Sequence, residues 1–303
     1  MRPFNLSGQP SVARRRVRFW LRWSPLLILA GLALWAFAIE PGWLAERQLV
    51  MSSARWNAPE IRIAVASDLH VGAPHAGLDK LDVLVDRINA AKPDLIVLPG
   101  DFVIRGIVGG DAIDPEAIAD RLARLSAPLG VFATLGNHDW WFDQGKGDRV
   151  RQALIRQGIR VLENEAVTLT HRGQRFSLIG IGDDMTNHVD LGRAMSGVDP
   201  ALPAIVIVHD PATLSELPAG PAIAFAGHTH GGQVALPFFG ALITPGRAPR
   251  AHAYGWVNAG PVPAFVTAGV GTSILPVRFN RRPEYLILRL LPAAMPVQPV
   301  PPV

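Results

Sequence analysis

The chain has 303 residues, of which 49% are hydrophobic and 18% charged, enough for one substantial globular domain with appendages. Its formal charge of +4 is unevenly distributed, because residues 1–39 hold six arginines and no acidic residue, which leaves a net charge of −2 on the remainder. A slightly acidic body disfavours a general nucleic-acid-binding surface. The absence of cysteine excludes disulfides, thiolate nucleophiles and cysteine-ligated zinc.

An uncharged apolar run spans residues 23–39. As a helix this run would measure about 26 Å, close to the roughly 30 Å hydrocarbon core of a bilayer. The run is therefore predicted to be a transmembrane anchor. Because all six arginines precede it, residues 1–22 are expected to form a basic cytoplasmic segment, with the rest of the chain outside the membrane.

A cleaved signal peptide is the alternative for this segment. Ala36, Phe37 and Ala38 form the small-x-small pattern of a cleavage site, and the apolar run before them fits a signal sequence. Both interpretations export the remainder of the chain, either held at the cell membrane or released from it.

Residues 40–60 are expected to be a linker, and short apolar runs alternate with amphipathic stretches from Ile61 onward. This alternation is typical of βα units, so an α/β domain is predicted for residues 61–291. The first half is predicted to contain strand Ile61–Ala66, helix Leu78–Ala91, strand Asp94–Leu98, helix Pro115–Leu125, strand Val131–Leu135 and helix Arg149–Gln157.

After residue 158 the pattern changes to one dominated by strands. A hairpin is predicted from two apolar runs separated by a short polar turn at residues 171–174. Residues 292–303 contain five prolines and are predicted to be disordered. The strands predicted in this half are Ala166–Thr170, Phe176–Ile181, Ala204–Val208, Ile223–Ala226, Ala264–Ala268 and Glu284–Leu290.

Polar clusters follow five of the predicted strands. In open α/β sheets, ligands bind at the carboxyl ends of the strands, so the five clusters can converge on one site. They are Asp68-Leu69-His70, Gly100-Asp101, Gly136-Asn137-His138-Asp139, His209-Asp210 and Gly227-His228-Thr229-His230-Gly231-Gly232-Gln233.

The side chains in these clusters suit divalent metals such as manganese, iron or zinc. Asp68 and His70 are two residues apart, so both project to the same side of an extended segment and can bind one ion. Asp101 has two carboxylate oxygens and can bridge a pair of ions. Two ions about 3.5–4 Å apart can bind a phosphate and lower the pKa of a shared water. His138 would then be free to donate a proton to the leaving oxygen.

The ordered series DxH, GD, GNHD, H and GHTHGGQ resembles the calcineurin-like metallophosphoesterase family over residues 61–290. The segments 269–273 and 276–280, with Pro283 and Glu284, resemble its membrane-associated bacterial branch. The resemblance implies a four-layer α/β/β/α sandwich of two mixed sheets and a pair of divalent metal ions. It also implies hydrolysis of phosphoester bonds by in-line attack of a metal-bound hydroxide.

The resemblance assigns roles to individual positions of this chain. His138 matches the proton-donating histidine of the family. One ion would be held by Asp68, His70, Asp101 and His230, and the other by Asp101, Asn137, His209 and His228.

One position departs from the pattern of the related protein phosphatases, which read GDxxDRG with the second aspartate supporting the acid histidine. Here Ile104 stands at that position. Either another acid orients His138, or the leaving group needs less help from a proton donor. The neighbouring Arg105 is a candidate phosphate contact, with a surface role as the alternative.

Trp140 and Trp141 follow the acid histidine and can either belong to the core or form an apolar wall beside the scissile bond. Together with the membrane segment, the second interpretation motivates the hypothesis of a lipid-linked or cell-envelope substrate. The predicted outer location disfavours a cytoplasmic nucleotide-sugar lipid, and no nucleic-acid partner is expected. The alternative function is a non-catalytic, membrane-anchored protein that binds metal or phosphate.

Overall fold

The computed structural model describes residues 12–293, with side chains from residue 19 onward. The predicted Pro-rich tail lies outside the described residues from position 294. Each strand and helix predicted between residues 61 and 290 is present, with its ends within three residues of the predicted ones, whereas the helix of the predicted 23–39 anchor begins earlier, at or before Val12.

The first half of the chain alternates strands with helices. The strands join a single six-stranded sheet, in which most neighbours are parallel. In chain order the elements are α1 (Val12–Leu34), β1 (Ala45–Ser53), β2 (Ile61–Val65), α2 (Leu78–Ala90), β3 (Leu95–Pro99), α3 (Pro115–Leu122), β4 (Val131–Thr134), α4 (Asn137–Phe142), α5 (Asp148–Arg156) and β5 (Arg160–Val161).

The second half builds another six-stranded sheet and a small hairpin, and its final strand returns to the first sheet. Its elements are β6 (Glu165–His171), β7 (Gln174–Gly180), α6 (Leu191–Met195), β8 (Ala204–Ile207), β9 (Ile223–Ala226), β10 (Ala235–Leu236), β11 (Gly240–Ala241), β12 (Gly255–Val257), β13 (Ala264–Val266) and β14 (Glu284–Pro292).

Both large sheets are mixed, as predicted. The first has the order β1-β14-β2-β3-β4-β5, with β14 antiparallel to β2. The second has the order β12-β13-β9-β8-β7-β6, with antiparallel pairs at its two edges and parallel strands in the middle. The hairpin of β10 and β11 stands apart from both sheets.

The sheets face each other across an apolar core, because alternate residues of each strand point to opposite faces. From β2, Ile61 and Ile63 point into the space between the sheets, where they join Phe176 and Phe225 of the second sheet. On the outer face of the first sheet, Ala64 packs with residues of α2, α3 and α5. On the outer face of the second sheet lie α6 and a short 3₁₀ segment. This is the predicted four-layer α/β/β/α sandwich.

The segment 40–60 differs from the predicted linker. It contains β1, which pairs in parallel with β14 along its whole length, and Leu49 and Met51 pack on the core between the sheets. The strand was missed because its only continuous apolar run is the three residues Leu49 to Met51, with polar or charged residues on both sides. One face of β1 is exposed to water, which explains its polar residues.

Helix α1 continues into a π-helical turn, Trp35–Ile39, and a 3₁₀ turn, Glu40–Gly42. The stretch Phe19–Gly42 is long and apolar enough to cross a membrane, and only 11% of its most apolar window is buried. Its last turns nevertheless contact the domain. The Ala36 carbonyl accepts a hydrogen bond from the Arg278 N–H (2.9 Å), and the buried Glu40 carboxylate accepts one from the Arg281 N–H (2.6 Å).

Candidate metal centre

Two lobes of buried ligand atoms meet beyond the carboxyl ends of the central strands. In the first lobe, the ligand atoms of Asp68, His70 and His230 lie within 4.8 Å of one another. The Nε2 atoms of His70 and His230 are 3.0 Å apart, and His230 Nε2 lies 3.7 Å from Asp68 Oδ1. Asp101 Oδ2 closes this lobe at 3.4 Å from His70 Nε2.

The second lobe uses the same Asp101 oxygen. Asp101 Oδ2 lies 3.2 Å from His209 Nε2, which in turn is 3.2 Å from Asn137 Oδ1 and 3.2 Å from His228 Nδ1. All four side chains are buried. The structure thus brings together all seven predicted ligands, in the two groups that the resemblance assigned, with one carboxylate oxygen common to both.

Backbone carbonyls orient two of the histidines. His70 Nδ1 donates to the Val103 carbonyl (3.1 Å), and His209 Nδ1 donates to the Pro99 carbonyl (2.8 Å). Because each Nδ1 donates to a carbonyl, each Nε2 is the ring nitrogen that faces Asp101. A carbonyl partner on the far nitrogen is the arrangement found around metal-binding histidines.

The protonation preferences also suit metal ligands. Burial lowers the pKa of His70 and of His228 to about 3, so both imidazoles are neutral donors at neutral pH. Although burial opposes a charge on His209, the Asp101 carboxylate raises the pKa of His209 well above its usual value. Burial raises the pKa of Asp68 to about 7. Such opposed shifts in one buried cluster are typical of a functional site.

The residues fit a pair of divalent cations. Imidazole nitrogens and carboxylate oxygens converge at 3.0 to 3.4 Å. Buried lone pairs and anionic oxygens repel one another unless a cation or proton separates them. The mixture of imidazole, carboxylate and amide donors is suited to manganese, iron or zinc.

The backbone at the centre is strained. Asp68, His70, Asp101, His228 and His230 all have positive φ, between 41° and 67°. Non-glycine residues seldom adopt this left-handed region, which costs of order 1–3 kcal/mol per residue and is concentrated at functional sites. Through these turns, the ligands of each loop point toward the two lobes of the centre.

Glycine is required where the loops approach the ligands most closely. A Cβ atom at Gly136 would lie 2.3 Å from Asp101 Oδ1 and 2.7 Å from His209 Cε1. A Cβ atom at Gly227 would lie 1.9 Å from Ser67 Oγ. Any larger residue at either position would displace a predicted ligand or its loop.

Asp139 has a structural role that the sequence did not reveal. Its buried carboxylate accepts hydrogen bonds from the backbone N–H groups of Asp101 (2.8 Å), Phe102 (2.8 Å) and Gly136 (2.9 Å). It therefore joins the two loops that carry Asp101 and Asn137. In the sequence, only its position in the GNHD motif indicated a role for this aspartate.

Asp210 and His228 form a similar supporting pair. Asp210 Oδ2 lies 3.7 Å from His228 Nε2, and neither atom has a hydrogen-bond partner among the described residues. A small approach would make this a hydrogen bond and fix the proton on Nε2. His228 Nδ1 would then be free to bind an ion.

Arg278 supports the first lobe from behind. Its guanidinium is completely buried and donates to the carbonyls of Ala268 (2.8 Å), Gly269 (3.3 Å), Gly271 and His230 (3.3 Å). It holds the His230 loop against the loop 268–271. The segment 276–280 had been singled out only as part of the resemblance, so this role required the structure.

His138 lies at the rim of the centre. Its backbone N–H donates to Asp101 Oδ1 (2.9 Å), and its ring contacts the rings of His70 and Trp141 edge to face, at 4.8 and 5.3 Å. Ser273 Oγ lies 3.5 Å from His138 Nε2. No carboxylate side chain is within hydrogen-bond reach of Nε2 in the described part of the chain.

The surroundings of Ile104 explain why an acidic residue does not fit at this position. Its side chain is buried in a small apolar cluster with Ala73, Ala76 and Ile107. A carboxylate there would be buried among hydrocarbon side chains without a partner. Among the described residues, Ser273 Oγ is the side-chain hydrogen-bond partner of the His138 ring.

The three residues predicted to contact the substrate differ in their exposure and in their contacts. Trp141 is half exposed beside His138 and is free to contact a substrate. Trp140 takes the core alternative: it is buried in the core and stacks on His188 at 3.6 Å, so its ring is already covered. Arg105 is exposed, with its guanidinium 4.4 Å from the Phe142 ring centre.

The fold and the site together define a metallophosphoesterase scaffold. Residues 61–232 match the family described as calcineurin-like phosphoesterase. The chain therefore belongs to the calcineurin-like phosphoesterase family, whose activity is the hydrolysis of phosphoesters.

Curated relatives extend the similarity over most of the chain. The chain is 32% identical over 236 residues to the uncharacterized metallophosphoesterase YkuE of Bacillus subtilis, covering 76% of this chain and 78% of the relative. It is 30% identical over 256 residues to the phosphodiesterase YaeI of Escherichia coli, covering 83% and 90%. It is 28% identical over 256 residues to the UDP-2,3-diacylglucosamine pyrophosphatase LpxG of Chlamydia trachomatis, covering 67% and 74%.

Proposed function

We propose that this protein is a phosphoesterase that depends on two divalent metal ions. The observation that carries the proposal is the position of Asp101 Oδ2, which lies 3.4 Å from His70 Nε2 in one lobe and 3.2 Å from His209 Nε2 in the other. One carboxylate oxygen shared by two ligand groups is the arrangement expected of a bridging ligand in a two-metal hydrolase.

The side chains divide the work of the reaction. When bound, the two ions would supply the positive charge that holds a phosphate and lowers the pKa of a water molecule. The neutral imidazoles of His70 and His228 donate lone pairs, and Asp101 spans both lobes. Asp139 keeps the loops of Asp101 and Asn137 at a fixed separation, which orients the phosphate for in-line attack.

His138 donates the proton that the leaving oxygen needs. Its ring is at the rim, where it can reach an ester oxygen bound over the lobes, and Ser273 lies on its Nε2 side. General acid catalysis of this kind contributes about 10²–10⁴ in rate. Because the partner is a hydroxyl and not a carboxylate, we expect the strongest dependence on His138 with poor leaving groups.

The substrate is proposed to be a phosphodiester or pyrophosphate that carries a lipid. The named activities of two relatives, a phosphodiesterase and a pyrophosphatase acting on a diacylated sugar nucleotide, support this class. The apolar stretch Phe19–Gly42 supports a location at the membrane, and the arginines before it favour a domain on the outer side. Trp141 offers an apolar surface next to the proton donor.

The first prediction tests the shared ligand. Substitution Asp101→Asn should reduce kcat on bis-p-nitrophenyl phosphate by at least about 10³-fold, because the charge common to both lobes is lost. The same variant should retain fewer manganese ions per chain by elemental analysis. Asp111→Asn makes the same chemical change at an exposed residue and should leave both measurements unchanged.

The alternative outcomes are distinct. A parent protein that binds metal but hydrolyses no phosphoester with manganese, iron or zinc would favour the non-catalytic binding role. An active D101N variant that keeps the parental metal content would contradict the bridging role of Asp101. Circular dichroism of both variants separates these results from loss of folding.

A further inference from the structure

A group of large apolar side chains is exposed on one side of the domain. In and around the β10–β11 hairpin, Phe238 is fully exposed, Phe239 is 78% exposed and Ile243 is 76% exposed. Ile274 is 74% exposed and is followed by the exposed Leu275. We call these five residues the apolar rim. Soluble surfaces seldom present such a concentration of large apolar side chains unless it serves an interaction.

The backbone holds two of these residues outward at an energetic cost. Phe238 has φ +68° and Ile274 has φ +64°. A bulky or β-branched residue in the left-handed region is a genuine outlier. Neither side chain gains packing within the chain that would offset this cost, which indicates that the conformation serves a contact outside the domain.

The rim adjoins the end of the apolar helix. Pro237, which precedes Phe238, lines the same cavity as Trp35 in the last turns of the apolar segment. Two backbone hydrogen bonds continue the connection, from the Arg278 N–H to the Ala36 carbonyl and from the Ala235 N–H to the Phe279 carbonyl, each 2.9 Å. The hairpin is therefore fixed close to the point where the helix meets the domain.

The same helix end is fixed on a second side. His75 Nε2 donates to the Phe37 carbonyl (3.0 Å), and the exposed Val108 donates its N–H to the Ile274 carbonyl (3.3 Å). The loops that carry His75 and Val108 also contact each other, because the Asp111 N–H donates to the Gly72 carbonyl (2.9 Å).

Residues typical of a membrane interface mark the boundary between helix and domain. The rings of Trp35 and Trp43 lie 6.0 Å apart, and the Arg282 guanidinium lies 3.8 Å from the ring centre of Trp43. Tryptophan and arginine at the end of an apolar helix are enriched at the level of the lipid headgroups. The rim is thus tied to the segment that would lie at headgroup level.

The rim is also joined to the metal centre. A Cβ atom at Gly232, two residues after His230, would lie 2.5 Å from the Ala241 Cβ in β11, so the ligand loop packs directly on the hairpin. Ser273, beside His138, precedes Ile274, and its N–H donates to Gln233 Oε1 (2.7 Å).

We propose that the apolar rim inserts into the surface of the lipid bilayer that holds α1, so that the metal centre receives its phosphoester from that bilayer. The substrate part of this inference rests on the proposed function. The docking part rests only on the exposed side chains and on their position beside the membrane segment. The bilayer is favoured as the occupant because the rim adjoins the membrane segment itself.

The chain has no cysteine, so one introduced cysteine can carry a polarity-sensitive fluorophore without a competing site. In full-length protein reconstituted into vesicles of phosphatidylcholine and phosphatidylglycerol, we expect a label at F239C to shift to the blue and to be quenched by nitroxide-labelled lipids. The matched label at Q174C lies on an exposed residue at the start of β7, which is the strand end opposite to the metal centre, and this label should stay unquenched.

Two results would overturn the docking proposal. One is an F239C label that is quenched no more than the Q174C label. The other is a blue shift that grows with protein concentration in detergent and is insensitive to nitroxide lipids, since this would identify a second copy of the chain as the occupant.

Activity provides the second measurement. In the same vesicles, the double variant F238S/F239S should lower kcat/KM on a membrane-embedded lipid phosphodiester by about tenfold or more, since two apolar side chains no longer enter the bilayer. Hydrolysis of soluble bis-p-nitrophenyl phosphate should be unchanged. Equal losses on both substrates would contradict delivery from the bilayer. A parent protein inactive on both would contradict the proposed function, and quenching of the F239C label would still decide the docking.

Discussion

His138 is surrounded differently from an acid histidine that is backed by a carboxylate. The position from which an aspartate would support it holds Ile104, which is buried in an apolar cluster, and the hydroxyl of Ser273 lies 3.5 Å from Nε2. A hydroxyl orients an imidazole but does not stabilise its positive charge as a carboxylate does. His138 therefore depends on its ring contacts with His70 and Trp141 for its position.

This arrangement predicts a marked dependence on the leaving group. Substitution His138→Gln should lower kcat/KM for an alkyl phosphodiester by about 100-fold or more, because an alkoxide must be protonated as it leaves. For bis-p-nitrophenyl phosphate the loss should be less than about tenfold, because nitrophenolate leaves without a proton. Steady-state kinetics on the two substrates measures the difference.

His252→Gln is the matched control, because it makes the same change at a partly exposed histidine in a different loop. Its kinetics should equal those of the parent protein on both substrates. Equal losses for the two leaving groups in the H138Q variant would show that His138 acts by shaping the centre and not as a proton donor.

The ligand positions could be predicted from the sequence because each stands directly after an apolar strand, and the ends of parallel strands meet. The supporting residues could not. Asp139 and Arg278 act through backbone groups of other loops, and such contacts leave no spacing in the sequence. Trp140 shows a choice that the sequence leaves open, since an aromatic residue near the acid histidine fits a wall and a core equally well until its contact with His188 is known.

At the level of elements, β1 changes how the domain begins. The strand pairs with β14 over all nine of its residues, and β14 connects it to the centre of the first sheet. Apolar strands and amphipathic helices were predictable because their periodicity reflects burial on one or two faces. An edge strand with one wet face carries a weaker pattern, and β1, β5 and β12 were all missed for this reason.

The pairing predicts where the chain can be shortened. A fragment that begins at Glu40 keeps β1, whereas one that begins at Ala54 leaves the edge of β14 unpaired and uncovers core residues beneath Leu49 and Met51. We expect the shorter fragment to have a Tm lower by roughly 10 °C, equivalent to a loss of a few kcal/mol in a domain of this size.

Differential scanning calorimetry of the two fragments measures this effect. Both fragments lack α1, so the comparison isolates the strand from the membrane segment. Equal Tm values would mean that β1 contributes no stability and that the segment behaves as the linker that the sequence suggested.

At the scale of the whole molecule, two features of the charge distribution favour the proposed location of the domain outside the cytoplasm. All six arginines of residues 1–39 precede the apolar run, and the domain that follows is slightly acidic. Positively charged residues next to a membrane helix are retained in the cytoplasm. The end of the helix is bonded to the domain through Ala36 and Glu40, so under the proposed membrane location the domain would lie directly at the membrane surface and not at the end of a long tether.

The last prediction concerns this orientation. In Escherichia coli spheroplasts that express the full chain, added protease should digest the domain, and in inverted membrane vesicles the domain should be protected. Replacing Arg14, Arg15 and Arg16 by glutamate lowers the net charge before the apolar run from +6 to zero, so a larger fraction of molecules should become protected in spheroplasts. The matched change R172E/R175E/R193E alters three exposed arginines within the domain, far along the chain from the apolar run, and should leave the protease pattern unaltered. Protection of the parent domain in spheroplasts would place the metal centre in the cytoplasm. That result would make a cytoplasmic nucleotide-sugar lipid a candidate substrate again.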